Sequence, residues 1–139
     1  MLDASLEQFA GFVGGWDVVR TLTLLGETLA AAGDANEARR VFLDALREAA
    51  EAHATPLALD ALVGLACLQA GAGDAEAAAE LAACVQGHPA STHEARVRAR
   101  DLQAHLAGQL APRQVEAACA RAAARSFEET VGRALAVAR

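Results

Sequence analysis

The feature that most constrains the fold is a Gly-Asp pair that occurs twice, forty residues apart, between amphipathic segments. Gly33-Asp34 and Gly73-Asp74 each follow one helical apolar pattern and precede another. Glycine adopts the left-handed conformation that ends a helix, and the aspartate after it can cap the next helix. The chain is therefore predicted to fold into antiparallel helical hairpins used more than once, which is the organisation of a repeat scaffold.

The composition supports a helical fold. The 139 residues are 54% hydrophobic but only 4% aromatic, and alanine, the best helix former, dominates the apolar share. Few aromatic and β-branched residues are present to build strands. The length suits one domain. The sequence predicts an all-α fold of stacked antiparallel helical hairpins, an α-solenoid with about seven helices.

Apolar periodicity and helix-ending residues divide residues 1–139 of this single domain into five parts. The predicted parts are an N-terminal helix of a partial repeat at 1–15, hairpin one at 16–53, hairpin two at 55–87, a degenerate hairpin three at 91–125 and a C-terminal capping helix at 126–139.

Local patterns predict where helices begin and which residues face inward. Thr55 is a predicted N-cap, and Ser91 and Ser126 are predicted to form capping boxes with Glu94 and Glu129. The predicted inward set of hairpin one is Trp16, Val19, Leu22, Leu25, Gly26 and Leu29, followed by Ala38, Val41, Phe42, Ala45, Leu46 and Ala49.

Charge and cysteine usage exclude several classes of protein. The net charge is −6 and lysine is absent, which argues against a nucleic-acid-binding surface. No apolar run reaches the roughly 20 residues that span a bilayer. Cys67, Cys84 and Cys119 each lie in an apolar helical pattern. They are predicted to be buried thiols in a reducing cytoplasm, and no secretory signal is recognised.

The sequence contains no motif that indicates catalysis. There is no glycine-rich loop with a lysine to hold phosphates. His88 and His93 are five residues apart with Pro89 between them, which does not fit the ligand spacing of a metal site. Ser91 and Ser126 fit helix caps. The chain is predicted to be non-enzymatic, with no cofactor and no metal.

The first hairpin resembles the tetratricopeptide family. Small residues at matching places allow paired helices to approach, while leucine and phenylalanine fill the gaps between hairpins. The matching positions are Leu22, Leu25, Gly26, Leu29, Ala38, Phe42 and Ala45 in the first copy, Leu62, Leu65, Ala66, Ala78 and Ala82 in the second, and Leu102 and Ala118 in the third.

The chain also resembles the C-terminal repeat region of bacterial signal-transducing ATPases and transcriptional regulators of the STAND class. The likeness lies in GDANEARRVFLDALREA at 33–49, GDAEAAAELAACV at 73–85 and a tail that comprises HPAST at 88–92, residues 96–102 and residues 110–135. It implies a protein-interaction or sensor module that contacts neighbouring domains of such a regulator or a partner protein. Two alternatives stay open: a structural homo-oligomerisation scaffold, with a homodimer formed through the N-terminal helix, and a helical small-molecule binder or enzyme.

The tetratricopeptide resemblance also implies a binding surface, because the first helix of each hairpin in that family lines a concave groove. A peptide end or another helix would occupy such a groove, and Arg20 and Arg100 could hold a carboxylate. The positions that correspond to the groove are Arg20, Thr23, Glu27, Asp60, Val63, Cys67, Arg100 and Gln103.

Overall fold

A computed structural model of the chain describes residues 15–137, and it contains helices and turns but no strand in that range. The prediction of an all-α fold with about seven helices is confirmed. The helix predicted at 1–15 lies outside the described residues, apart from Gly15. The seven helices are α1 Gly15–Ala31, α2 Ala35–Glu51, α3 Thr55–Gly71, α4 Ala75–Gly87, α5 His93–Ala107, α6 Pro112–Ala124 and α7 Phe127–Val137.

The first three turns share one geometry at a spacing of twenty residues. Gly33 and Gly73 have φ angles of 87° and 91°, so their predicted left-handed caps are confirmed. His53 takes the equivalent place between α2 and α3 with φ of 54°. In each turn the next amide, that of Asp34, Ala54 or Asp74, donates to the carbonyl five residues earlier at 2.9 Å. The sequence pattern identified the two turns with glycine and missed the one with histidine.

This shared geometry predicts the effect of one substitution. His53→Gly is expected to raise the free energy of unfolding by about 0.5–1 kcal/mol, because a side chain in the left-handed region is strained and glycine is not. The measurement is urea unfolding followed by circular dichroism. Gly73→Ala is the matched variant and is expected to change stability by about the same amount in the opposite direction. A destabilised His53→Gly variant would contradict the expectation.

Three predicted helix caps are confirmed. Asp34 Oδ1 accepts a hydrogen bond from the amide of Glu37, and Asp74 Oδ1 accepts one from the amide of Ala77, each at 3.4 Å. Ser126 and Glu129 form the predicted capping box, in which each backbone amide donates to the other side chain at 3.1 Å. These contacts satisfy amides that the first turn of a helix leaves without a partner.

Two predicted caps were wrong by one residue. Ala54, not Thr55, is the N-cap of α3, and its side chain offers no capping bond. Thr92, not Ser91, is the N-cap of α5, where its Oγ1 accepts from the amide of Ala95 at 3.1 Å. Ser91 is buried and donates instead to the carbonyl of Val85 at 2.6 Å. This bond holds the hydroxyl away from the amides of α5.

Helix α3 is the centre of the fold. It packs against α1, α2, α4 and α5, and its residues from Leu57 to Ala66 are buried with the exception of Asp60. Such all-round burial explains why α3 is apolar on every side instead of showing one stripe. The helices α1, α3 and α5 contact one another in succession, so three helices of alternate position in the chain lie side by side.

The last two helices cover α2 and α4. The predicted third hairpin, 91–125, encloses α5 and α6, but α6 makes its main contacts with α4. Polar groups join this pair: Gln114 Nε2 donates to Glu76 at 2.8 Å, Arg121 Nε pairs with Glu80 at 3.2 Å, and Arg125 also pairs with Glu80. Helix α7 then packs on both α2 and α4.

One aromatic ring joins the first three helices. Phe42 on α2 is 1% exposed. A Cβ added to Gly26 on α1 would lie 2.8 Å from the ring, and one added to Gly64 on α3 would lie 2.5 Å from it. Both helices therefore depend on glycine to reach the ring, as the sequence predicted for Gly26.

The outer side of α1 differs from its prediction. Trp16 was predicted to face inward, but it is 46% exposed, and Leu24 on the same helix is 63% exposed. The other predicted members of the stripe are buried or half-buried. Trp16 lies in the first turn of α1.

Candidate functional site

The candidate site is the outward side of the row formed by α1, α3 and α5, here named the front face. Arg20 and Glu27 are seven residues apart on α1, and Asp60 and Cys67 are seven apart on α3. Seven residues complete almost two helical turns, so each pair lies on one side of its helix. The residues that define the front face are Arg20, Glu27, Asp60, Cys67, Glu94 and Arg98.

An ion pair crosses this face. Arg98 Nη1 on α5 lies 2.7 Å from Glu27 Oε2 on α1, and the two side chains are 37% and 38% exposed. A partly exposed pair of this kind adds about 0–1 kcal/mol to stability. Its consequence is geometric, because it joins the first and third helices of the row above α3.

Asp60 lies below this ion pair at the start of α3. Its Oδ1 accepts a hydrogen bond from Thr92 Oγ1 at 3.0 Å. Burial raises the pKa of the Asp60 carboxyl; the Thr92 bond and the charge of Arg98 oppose the rise, and the nearby carboxylates Glu94 and Glu27 add to it. Three carboxylates therefore lie within electrostatic range of one another, and Arg98 pairs with one of them, so the centre of the front face carries an excess of negative charge.

The raised pKa gives Asp60 a defined effect on stability. A carboxyl whose pKa is higher in the folded state favours folding when protonated, so its stabilisation declines as pH rises above the unfolded value near 3.8. The variant Asp60→Asn keeps an acceptor for Thr92 but does not ionise. Its stability relative to wild type is expected to increase between about pH 3 and pH 7 in urea unfolding experiments.

Glu129 provides a control of opposite sign. The backbone and side-chain hydrogen bonds with Ser126 lower the pKa of its carboxyl. Its stabilisation is therefore present above the unfolded pKa and is lost as pH falls, so Glu129→Gln should become less stable relative to wild type as pH rises. If Asp60→Asn and Glu129→Gln followed the same trend, the environment inferred for Asp60 would be wrong.

A cavity of about 410 Å³ opens beside the ion pair. Its walls come from α1, α2, α3 and α5, and they combine apolar carbon with the charged ends of Glu27 and Arg98 and the thiol of Cys67. Apolar walls with a few polar groups are typical of sites that anchor one side chain of a ligand. The remaining lining residues are Ala30, Ala35, Phe42, Gly64, Leu68, Gly71 and Ala72.

The structure brings together only part of the predicted groove. Arg20 is exposed on the front face, and Thr23 is half-buried with its hydroxyl bonded to the carbonyl of Val19 at 2.9 Å. The placement of Val63 in a groove is corrected, because its side chain is 0% exposed and belongs to the core. Of the predicted residues, Glu27 and Cys67 line the same cavity.

The predicted residues of α5 lie on the other side of that helix. Arg100 and Gln103 are about 200° and 140° around the helix axis from Arg98, the residue that reaches Glu27. Helix α5 has a buried stripe with a polar edge on each side, and the sequence alone does not say which edge adjoins α3. The stripe consists of Ala95, Ala99, Leu102 and Leu106.

Sequence reasoning missed Arg98 and Glu94 for this reason. Their spacing of four residues places them on one side of α5, and that was the available signal. The hydrogen bond between Thr92 and Asp60 determines which edge of the stripe faces α3. These residues are 32 positions apart in the chain, so the sequence pattern does not reveal their contact.

The prediction of three buried cysteines was wrong. Cys67 and Cys119 are exposed, and Cys84 is half-buried. Cys84 has a raised thiol pKa, mainly because of burial, and a hydrogen bond with Thr130 opposes the rise. The cysteines were predicted to be buried because alanines surround them in the sequence. Alanine side chains are small and cover little of a neighbouring residue, so the thiols stay accessible.

Residues 15–137 hold no group of three or more histidine, cysteine, aspartate or glutamate side chains arranged to bind a metal ion. Within that range, none of the helices has the length and hydropathy needed to cross a membrane. No family model, curated protein or solved structure matches the chain. The class established by the described residues is an all-α domain of seven helices.

Proposed function

We propose that this chain is a non-catalytic protein-interaction module of stacked tetratricopeptide-like hairpins, and that it binds an extended peptide or a helix of a partner protein on the front face. The observation that carries the proposal is the group of three neighbouring carboxylates, Glu27, Asp60 and Glu94, of which Arg98 pairs with Glu27. A cytoplasmic location and a place in a bacterial signalling or transcriptional regulator belong to the same proposal. They are supported by the resemblance of residues 33–49, 73–85 and 110–135.

The charge of the front face selects the partner's chemistry. An incoming lysine or arginine side chain would neutralise the excess carboxylate, and the cavity beside Cys67 would take a neighbouring apolar side chain. The row of α1, α3 and α5 offers a long surface on which several side chains can contact the same chain. A basic peptide with an apolar residue near its cationic one is therefore the expected ligand.

Selection from a displayed library of random dodecapeptides tests this function. Peptides selected on the full chain are expected to be enriched in lysine or arginine. Their affinity for the variant Glu94→Gln with Asp60→Asn should be at least about tenfold lower, because two of the three carboxylates lose their charge. Affinity is measured by fluorescence anisotropy at about 0.1 M salt.

The matched control is Glu51→Gln with Glu128→Gln, which removes two exposed carboxylates from α2 and α7. It is expected to bind the selected peptides as wild type does. The proposal would be wrong if no peptide were selected above background. It would also be wrong if both double variants lost binding equally. Circular dichroism of each variant ensures that lost binding does not reflect unfolding.

A second candidate function is a homo-oligomerisation scaffold, and exposed apolar side chains on α1 favour it. Trp16 and Leu24 are 46% and 63% exposed, and such side chains occur at contacts between protein copies. The full chain should be followed by light scattering over a concentration series. Because Trp16 is the single tryptophan, its emission should shift to the blue as copies associate, and Leu24→Glu should abolish the shift. A clean monomer at all concentrations excludes this alternative.

The regulator context has its own test. If the module belongs to a STAND-class protein, the coding sequence should continue upstream into an ATPase domain in the same reading frame. A different upstream domain would reject that context and leave the binding function of the front face to be judged by the peptide experiment.

A further inference from the structure

A second cavity, of about 520 Å³, lies between α2, α3, α4 and α7, and is here named the α7 cavity. It adjoins the cavity of the front face, with which it shares Ala35, Leu68 and Ala72. Its volume falls within the range of about 300–1,000 Å³ that is usual for small-molecule sites. Nothing in the proposed peptide binding uses it.

The walls of the α7 cavity are largely apolar. Leucine side chains from α2, α3 and α4 meet alanines of α7 there. Such a surface takes up hydrocarbon, because binding removes apolar surface from water. The apolar lining includes Leu43, Leu65, Leu68, Leu81 and Ala134.

Positive charge lines the same space. Arg39 on α2 and Arg133 on α7 both line the cavity, and neither forms a salt bridge with a described residue. A third lining arginine, Arg125, is paired with Glu80. The first turn of α2 also borders the cavity at Ala35, and a helix N-terminus favours negative charge. Arg133 also interacts electrostatically with Glu129, and Asp74 lines the cavity together with Glu80. The three lining guanidiniums still exceed the two lining carboxylates by one, and this excess complements an anion.

A buried hydrogen-bond acceptor, Gln69 Oε1, indicates a third feature of the ligand. Gln69 lines the cavity, and its Oε1 is shielded from solvent without a hydrogen-bond partner among the described residues. A buried polar atom without a partner destabilises the fold. Because the Gln69 side chain lines the cavity, rotation of its amide would bring Oε1 to a ligand with an N–H or O–H group near its anionic end, and that group would supply the missing donor.

We propose that the α7 cavity binds a small amphipathic organic acid whose carboxylate contacts Arg39 and Arg133, whose hydrogen-bond donor contacts Gln69 and whose hydrocarbon part lies among the leucines. N-octanoylglycine has these three features and is the probe. N-octanoylsarcosine, in which a methyl group replaces the amide hydrogen, and the methyl ester of N-octanoylglycine, which is neutral, are its matched partners.

Isothermal titration of the full chain tests the site. One molecule of N-octanoylglycine is expected to bind for each chain, and the ester at least about tenfold more weakly. N-octanoylsarcosine should bind about five- to tenfold more weakly to wild type, because it leaves Gln69 without a donor. In the variant Gln69→Leu the two acids should bind alike.

Variants of the chain provide the decisive comparison. Arg39→Gln with Arg133→Gln should weaken binding of N-octanoylglycine at least about tenfold, whereas Arg113→Gln, an exposed arginine of α6 outside the cavity, should leave it unchanged. Ala134→Phe should fill the cavity and abolish binding. The two arginine variants replace exposed side chains, so they keep the test valid even if Ala134→Phe fails to fold.

Three results would overturn the proposal: no saturable binding of N-octanoylglycine to the wild-type chain, equal binding by the two arginine variants, or full binding by a folded Ala134→Phe. None of these results bears on the front face, because its peptide affinity depends on Asp60 and Glu94. Failure of the peptide experiment would likewise not affect the proposal that the α7 cavity binds an organic acid.

Discussion

Phe42→Ala is expected to lower the free energy of unfolding by about 3–5 kcal/mol, the usual range for removing a buried aromatic ring. The ring is 1% exposed on α2 and lies against Gly26 of α1 and Gly64 of α3. Because the two facing positions are glycines, neither offers a side chain that could fill the space that the ring leaves. Urea unfolding followed by circular dichroism measures the loss.

Phe127→Ala is the control for this prediction. Phe127 begins α7, is half-buried and meets His88 edge to face with ring centroids 5.1 Å apart. Partial burial removes less apolar surface from water, so its replacement should cost roughly half as much or less. Equal losses in the two variants would show that the contact between Phe42 and the two glycines has no special weight.

Gly64→Ala is expected to destabilise the fold by about 1–3 kcal/mol, although alanine ordinarily stabilises the interior of a helix relative to glycine. The added Cβ would lie 2.5 Å from Cε1 of Phe42 and 2.6 Å from its Cζ. At these distances the ring or the helix has to shift, and the ring is also held close to Gly26 on the opposite side. The steric loss therefore exceeds the gain in helix propensity.

Gly132→Ala separates these two effects. Gly132 lies within α7, is exposed, and has no atom within 4 Å of the position of an added Cβ. Only the propensity term remains, so the variant should be more stable by about 0.5–1 kcal/mol. In addition, Phe42→Leu should relieve Gly64→Ala, with a coupling energy of about 0.5–3 kcal/mol between the two sites. Purely additive effects would contradict the steric explanation.

Local interactions explain which structural predictions succeeded. The turns at Gly33 and Gly73, the caps at Asp34 and Asp74, and the capping box of Ser126 all depend on residues within five positions of one another. The inward set of α2 followed from helical periodicity, and all six predicted members are buried. His53 was missed because its left-handed conformation is imposed by the helices on either side, against the preference of the residue itself.

The candidate site was predicted less completely, because its contacts join distant parts of the chain. Glu27 and Asp60 were identified by their positions in the hairpins. Their partners Arg98 and Thr92 are 71 and 32 residues away from them, and periodicity does not say which edge of α5 meets α3. The same limitation placed Val63 on the surface, because its burial depends on the helices packed around α3.

The amino-acid sequence determined the helices, the two glycine turns and the small residue at Gly26, because each of these depends on backbone preference and on apolar spacing along one helix. That Phe42 also meets Gly64 of α3 was decided by the tertiary structure. The tertiary structure alone decided that α6 packs on α4, that Arg98 meets Glu27, and that α7 bounds a second cavity. These contacts depend on the rotation of one helix against another. Alanine-rich surfaces allow several such rotations, and the ion pairs and rare large side chains select one of them.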